Sequence, residues 1–206
     1  LFFLTFSNTL YLKADIIIYA EQYYLLYAKS QNLQTTNIME NIFYLQRALE
    51  TPFAPVVQAL CRINTQEQYI RYKYLFKMHC NFLIMRSYIQ LASRYDKEDI
   101  YFYNYYYKEL IIESLKYAKY YYELALPYWE EAKKEALNAS RFQNYKIELD
   151  TWEDEHAKII SGYYKYDEII YQRLENLLRN LAFLENWANS FYGDTQDSSN
   201  SENTGQ

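Results

Sequence analysis

Apolar positions recur three and four residues apart through most segments of the chain, from Ile16, Tyr19, Tyr23 and Leu26 near its start to Ile170, Leu174, Leu177 and Leu181 near its end. That is the period of a helix with one buried face, so the expectation is an all-α fold. Start and stop signals divide it into about five or six helices. Asp15 to about Ser30 reads as a first helix, with Ile16, Tyr19, Tyr23, Leu26 and Tyr27 on one side. Asn37, with Glu40 three residues on, caps a second helix that runs to Glu50. Thr51 with Pro52 and Pro55 opens a short helix to about Arg62, because proline is tolerated in a first turn. Thr65 and Gln68 form the next capping pair and open a helix of about thirty residues that ends near Tyr95.

Asp96 is placed to cap a helix carrying "YFYNYYYKELIIESLKYAKYYYELALPYWEEA", in which Pro127 is expected to kink or break the chain. Ser140 with Gln143 then restarts a last long helix to about Tyr192, with a bend at Gly162. In that helix Ile170, Leu174, Leu177, Leu181, Leu184, Ala188 and Phe191 alternate spacings of four and three, a heptad seam that seeks a partner helix within the chain or on another copy or protein. Residues 15–192 thus form the expected helical domain, an elongated bundle. Residues 193–206 contain no hydrophobic side chain and read as a disordered tail or linker. Residues 1–14 have an apolar stretch, a polar stretch and then Ala14, the pattern of the remaining part of a secretory signal peptide; a native helix over Leu1–Leu12 is the alternative.

Composition sharpens this picture. Three glycines and three prolines among 206 residues leave few tight turns for a sheet protein, whereas 27 tyrosines and 11 phenylalanines supply an aromatic core. On the tyrosine-rich helix, Tyr103, Tyr107, Leu110, Ile111, Leu115, Ala118, Tyr122 and Ala125 make one apolar stripe. Glu109, Glu113, Lys116 and Glu123 make the wet one. The run "YFYNYYY" cannot face a single core, since its rings occupy nearly the whole circumference of two turns. Either helices surround it or part of it is an exposed contact patch. The candidate contact residues are accordingly Tyr101, Phe102, Tyr105 and Tyr106, followed by Trp187 and Phe191.

The net charge of −5 argues against a general attraction to nucleic acid. Charge is uneven, however: Arg71, Lys73, Lys77, Arg86 and Arg94 against Glu67 give the 66–95 helix +4, and acids dominate from Glu109 to Glu155. The simplest reading is complementary faces within one bundle; a basic docking surface is the other. No apolar run is long enough to suggest a membrane span beyond the first residues.

Catalytic chemistry is not announced. The two histidines are His79 and His156; Glu153 lies three residues before His156, the spacing of a helical carboxylate–histidine metal pair, but no second such pair accompanies it. Cys61 and Cys80 read either as one disulfide or as two buried free thiols. No glycine-rich phosphate loop or nucleophile elbow is present. No cofactor, no metal and no enzyme activity are expected.

"AKYYYELAL", with Ala118, Tyr122 and Ala125, resembles the second helix of a tetratricopeptide repeat, and "YLQRAL" from Tyr44 to Leu49 resembles it more weakly. With "LASRYDKEDIYFYN" and "ALPYWEEA", the chain as a whole resembles small periplasmic all-helical envelope proteins of spirochaetes, similar in kind to flagellar-collar proteins or to the helical half of a LysM-containing cell-fission protein. That resemblance implies an exported, non-enzymatic scaffold or adaptor binding other envelope proteins of the flagellar or cell-division machinery. A helical module binding a small apolar or aromatic ligand is the alternative function.

Overall fold

The computed structural model describes residues 17–31, 37–97, 100 and 105–197, and only the backbone of Tyr105 and of 187–197. The signal-peptide reading of residues 1–14 therefore lies outside the described residues. The described chain is all-α: α1 (Ala20–Gln31), α2 (Ile38–Glu50), a 3₁₀ turn (Val56–Gln58), α3 (Gln66–Tyr95), a second 3₁₀ turn (Tyr105–Tyr107), α4 (Lys108–Ser140), α5 (Asp150–Ile160) and α6 (Tyr166–Asp197).

α3 is the centre of the bundle. Its buried residues, among them Tyr72, Leu75, Phe76, Cys80, Phe82, Ile84 and Met85, lie on every side of the helix, so it is enclosed rather than amphipathic. α2, α4 and α5 pack on it, Tyr24 of α1 meets its Phe76 ring at 5.6 Å, and α6 packs on α4. Both ends of α3 follow the sequence reading: Thr65 accepts the Gln68 N–H at 3.2 Å, and the helix stops at Tyr95. Asn37 likewise caps α2 by accepting from the N–H groups of Met39 and Glu40.

Four expectations are corrected. The first helix begins at Ala20 rather than Asp15. The segment from Thr51 to Arg62 is not a helix beyond its single 3₁₀ turn, because distant partners take its backbone groups. Ala54 N–H donates to the buried Glu21 carboxylate at 2.8 Å, the Ala20 N–H to the Pro52 carbonyl at 2.9 Å, and the Tyr69 hydroxyl to the Ala54 carbonyl at 2.8 Å. α4 continues unbroken through Pro127, which is exposed, so the Glu123 carbonyl it leaves without an N–H partner can turn to water.

The fourth concerns the last helix, which is two. α4 ends at Ser140, a run of turns follows, and α5 starts at Asp150. Gly162 is not inside a helix: it terminates α5 at φ 70°, with the Tyr163 N–H on the Lys158 carbonyl at 3.0 Å and its own N–H on Ile159 at 3.1 Å. This is a Schellman stop, which favours glycine because it needs a left-handed residue.

From Ile170 to Leu184 the heptad seam packs inside the chain. Ile170, Leu177, Leu181 and Leu184 are buried in the common core as α6 packs on α4, with Leu174 partly buried beside them. Lys133 of α4 fixes the start of α6 by bridging Glu130 at 2.9 Å and Asp167 at 3.1 Å. Among the described residues no helix is long and apolar enough to cross a membrane.

Candidate functional site

The predicted contact residues fall at the start of α4. Tyr101 and Phe102 lie outside the described residues, and Tyr105 is placed by its backbone in the 3₁₀ turn. Tyr106 is 84% exposed, with its ring edge-on to Tyr107 at 5.4 Å. Trp187 and Phe191 are in α6, their side chains outside the described set.

What surrounds Tyr106 is more informative than the run it belongs to. The apolar stripe expected to be buried is buried only in part: Ile111, Leu115, Ala118, Tyr122 and Ala125 are in the core, but Tyr107 and Leu110 point to solvent. Ile112 and Lys108 are buried instead. The helix is therefore rotated so that Tyr106, Leu110, Tyr117 and Tyr120 share an outer face, at 84, 63, 47 and 55% exposure. Glu113 and Lys116 stand between them, and with Tyr117 and Tyr120 they line an open, mainly apolar groove of about 440 Å³.

Behind this face neighbouring rings, stacked or tilted, form a ladder that crosses from α4 to α3. Tyr117 lies 5.5 Å from Tyr95, Tyr95 lies 5.8 Å from Tyr121, Tyr121 lies 6.4 Å from Tyr88, and Tyr88 lies 5.7 Å from Tyr128. Gln46 of α2 donates to the far end at the Tyr128 hydroxyl, 2.7 Å away. Burial raises the phenols of Tyr88 and Tyr121 above their ordinary range, so they stay protonated near neutral pH. The ladder backs the outer tyrosines, Tyr117 through Tyr95 and Tyr120 through Tyr121, and offers apolar rings with hydroxyl edges.

A second constellation was not legible in the sequence. Tyr24 of α1 hydrogen-bonds His79 Nε2 at 3.1 Å, and His79 Nδ1 meets Glu155 of α5 at 2.5 Å. Trp152 stacks on the imidazole with centroids 5.1 Å apart. Burial pushes the Tyr24 phenol up, away from activation, so the set ties three helices together rather than preparing a nucleophile. The Glu153 and His156 pair divides in the same spirit: Glu153 binds Arg71, and His156 Nε2 lies 3.1 Å from the Ala136 carbonyl and 3.0 Å from the Ser140 hydroxyl. Among the described residues no three His, Cys, Asp or Glu side chains are grouped to hold a metal.

Cys61 and Cys80 are both free thiols, and burial raises the pKa of each. The charge of α3 is neutralised only at Arg71; among the described residues no ion pair involves Lys73, Lys77, Arg86 or Arg94. Four acids of α4 and α5 pair with lysines of their own helices, as in Lys119–Glu123 and Lys158–Asp154, while Glu153 and Glu155 reach across to Arg71 and His79 of α3.

Fold and site together define an all-α bundle with an aromatic outer face. Residues 67–187, more than half of the chain, match the model of a family described as a domain of unknown function (DUF8513), and the chain belongs to that family. The matched part starts in the first turn of α3 and reaches into α6, so it holds the tyrosine ladder and leaves α1 and α2 outside. No curated protein and no solved structure matches the chain.

Proposed function

We propose that this chain is a non-enzymatic adaptor that holds another protein on the tyrosine face of α4. The observation that carries the reading is the row Tyr106, Leu110, Tyr117 and Tyr120, exposed along one side of α4 and backed by the Tyr95–Tyr121–Tyr88 ladder. Tyrosine buries a large apolar body on contact and leaves a hydroxyl for the rim, at little cost in side-chain entropy, which is why contact surfaces are enriched in it. Its setting, an exported chain serving envelope assembly in flagellar or cell-division machinery, is part of the same proposal and rests on the sequence resemblance.

The test is cross-linked capture of the tagged chain from its own cell envelope, run beside a Tyr117→Ser/Tyr120→Ser variant whose helicity and unfolding midpoint match the parent. The expected result is a partner set recovered with the parent and lost with the variant. The reading fails if the variant recovers the same set, or if fractionation places the chain elsewhere than the envelope and capture there returns nothing dependent on these tyrosines.

A further inference from the structure

A cleft of about 500 Å³ opens between α1, α3 and α6, away from the residues used above. Its lining brings together Arg86, Tyr27, Tyr166, Gln31 and Gln90, with Leu83 as part of an apolar wall, and contains no carboxylate. In a chain with 26 acidic residues against 21 basic ones, a polar cleft holding an arginine and no acid is a distinct chemical environment. The guanidinium is held ready: Arg86 lies over the buried Phe82 ring, 5.7 Å from its centroid, and Phe82 is itself stacked on Tyr164 at 5.2 Å and edge-on to Tyr166 at 5.6 Å.

The polar side chains are also unspent. Among the described residues, no ion pair uses Arg86, and no side-chain hydrogen bond uses Arg86, the hydroxyls of Tyr27 and Tyr166, or the amides of Gln31 and Gln90. Ser87 is the exception, since its hydroxyl donates to the Leu83 carbonyl at 2.8 Å. Burial first, then the neighbouring Tyr24, pushes the Tyr27 phenol up to about 12, and burial raises that of Tyr166, so both hydroxyls keep their protons and can donate. Glu155, whose charge acts on both phenols, is itself buried and engaged by His79.

We propose that this cleft binds a small organic anion: a carboxylate or phosphate head on the Arg86 guanidinium, with Tyr27 and Tyr166 donating beside it, and a flat or apolar body along Leu83 and Ile89. Guanidinium is the side chain best matched to the planar geometry of such oxyanions, and aromatic walls accommodate the rest of the ligand. The site goes beyond the adaptor reading and stands independently of it.

The experiment is a titration of the intact chain with sodium benzoate and, separately, with inorganic phosphate, each against sodium chloride at matched ionic strength, following the arginine Nε–H resonances. A saturable shift of the Arg86 signal is expected with at least one probe; which probe produces it identifies the preferred head group. Arg86→Gln, an exposed position, should weaken binding by at least about tenfold, the worth of a charge-assisted hydrogen bond. Tyr27→Phe should weaken it by a smaller factor, and Lys77→Gln, outside the cleft, should leave it unchanged. Shifts that chloride reproduces with both probes, or an affinity that Arg86→Gln leaves intact in a folded variant, would overturn the proposal.

Discussion

Arg71 and Glu153, 82 residues apart, join the central helix to α5 through a two-pronged ion pair, with Arg71 Nε on Glu153 Oε1 at 3.0 Å. The same guanidinium donates from Nη1 to the Ala139 carbonyl at 2.6 Å, in the last turn of α4, and Glu153 Oε1 also accepts the Ile147 N–H at 3.2 Å. One buried arginine therefore closes the end of α4, the connection after it and the start of α5. Replacing Arg71 by Met should cost about 3 kcal/mol, because it leaves a half-buried carboxylate and the Ala139 carbonyl without their shared partner. The double variant Arg71→Met/Glu153→Leu should cost clearly less than the two single changes summed. Urea unfolding of the three variants checks this, and strict additivity would show that the pair is not energetically coupled.

His156 gives the same corner a pH dependence. Burial is the main reason its pKa falls below the ordinary 6.5, with the positive Arg71 as the second. The folded state thus prefers neutral imidazole, and the unfolded chain takes up a proton more readily. Stability is full above about pH 6.5 and is lost as pH falls through that value, by at most about 1.4 kcal/mol per pH unit until the folded pKa is reached. Glu153 adds to the loss further down: burial alone would raise its pKa, but the Arg71 hydrogen bonds, the Ile147 N–H and the Arg71 charge together hold it below the usual 4.5. Its contribution is present above the ordinary carboxylate range and disappears as pH drops into the folded value. Unfolding midpoints of the parent and of His156→Gln at about pH 7.5 and about pH 5.5 should differ in slope, with the parent losing more. Equal losses would remove His156 as the source.

The local features of the chain carried α2 and α3 almost to the residue, because Asn37 and Thr65 are caps whose hydrogen bonds are made within three residues. Proline and glycine were harder to read, since their effect depends on what lies outside the helix. Pro127 does not end α4, since it is exposed where water can reach the freed carbonyl, and Pro52 does not start a helix where Glu21 and Ala20 take up the backbone around it. Gly162 announced an irregularity, yet only the Lys158 and Ile159 carbonyls distinguish a helix stop from a bend. The aromatic face was legible as a surplus of rings at Tyr106 and its neighbours. Its extension to Tyr117 and Tyr120 was not, because it depends on how α4 is rotated against α3. The Tyr24–His79–Glu155 chain and the Arg86 cleft join residues more than fifty positions apart, and no spacing rule reaches that far.

That rotation of α4 separates two leucines that periodicity alone would treat alike. Leu110 was expected in the core beside Ile111, but it stands on the outer face, whereas Leu177 of α6 is wholly enclosed. Removing the Leu177 side chain leaves a cavity that the packed α4–α6 seam cannot close fully, so Leu177→Ala should destabilise the fold by about 2–5 kcal/mol. Leu110→Ala removes surface already in water and should fall within about 0.5 kcal/mol of the parent. Chemical denaturation of the two variants decides between them. A cost at Leu110 similar to that at Leu177 would mean that α4 presents the opposite side to solvent, and the tyrosine face would have to be redrawn with it.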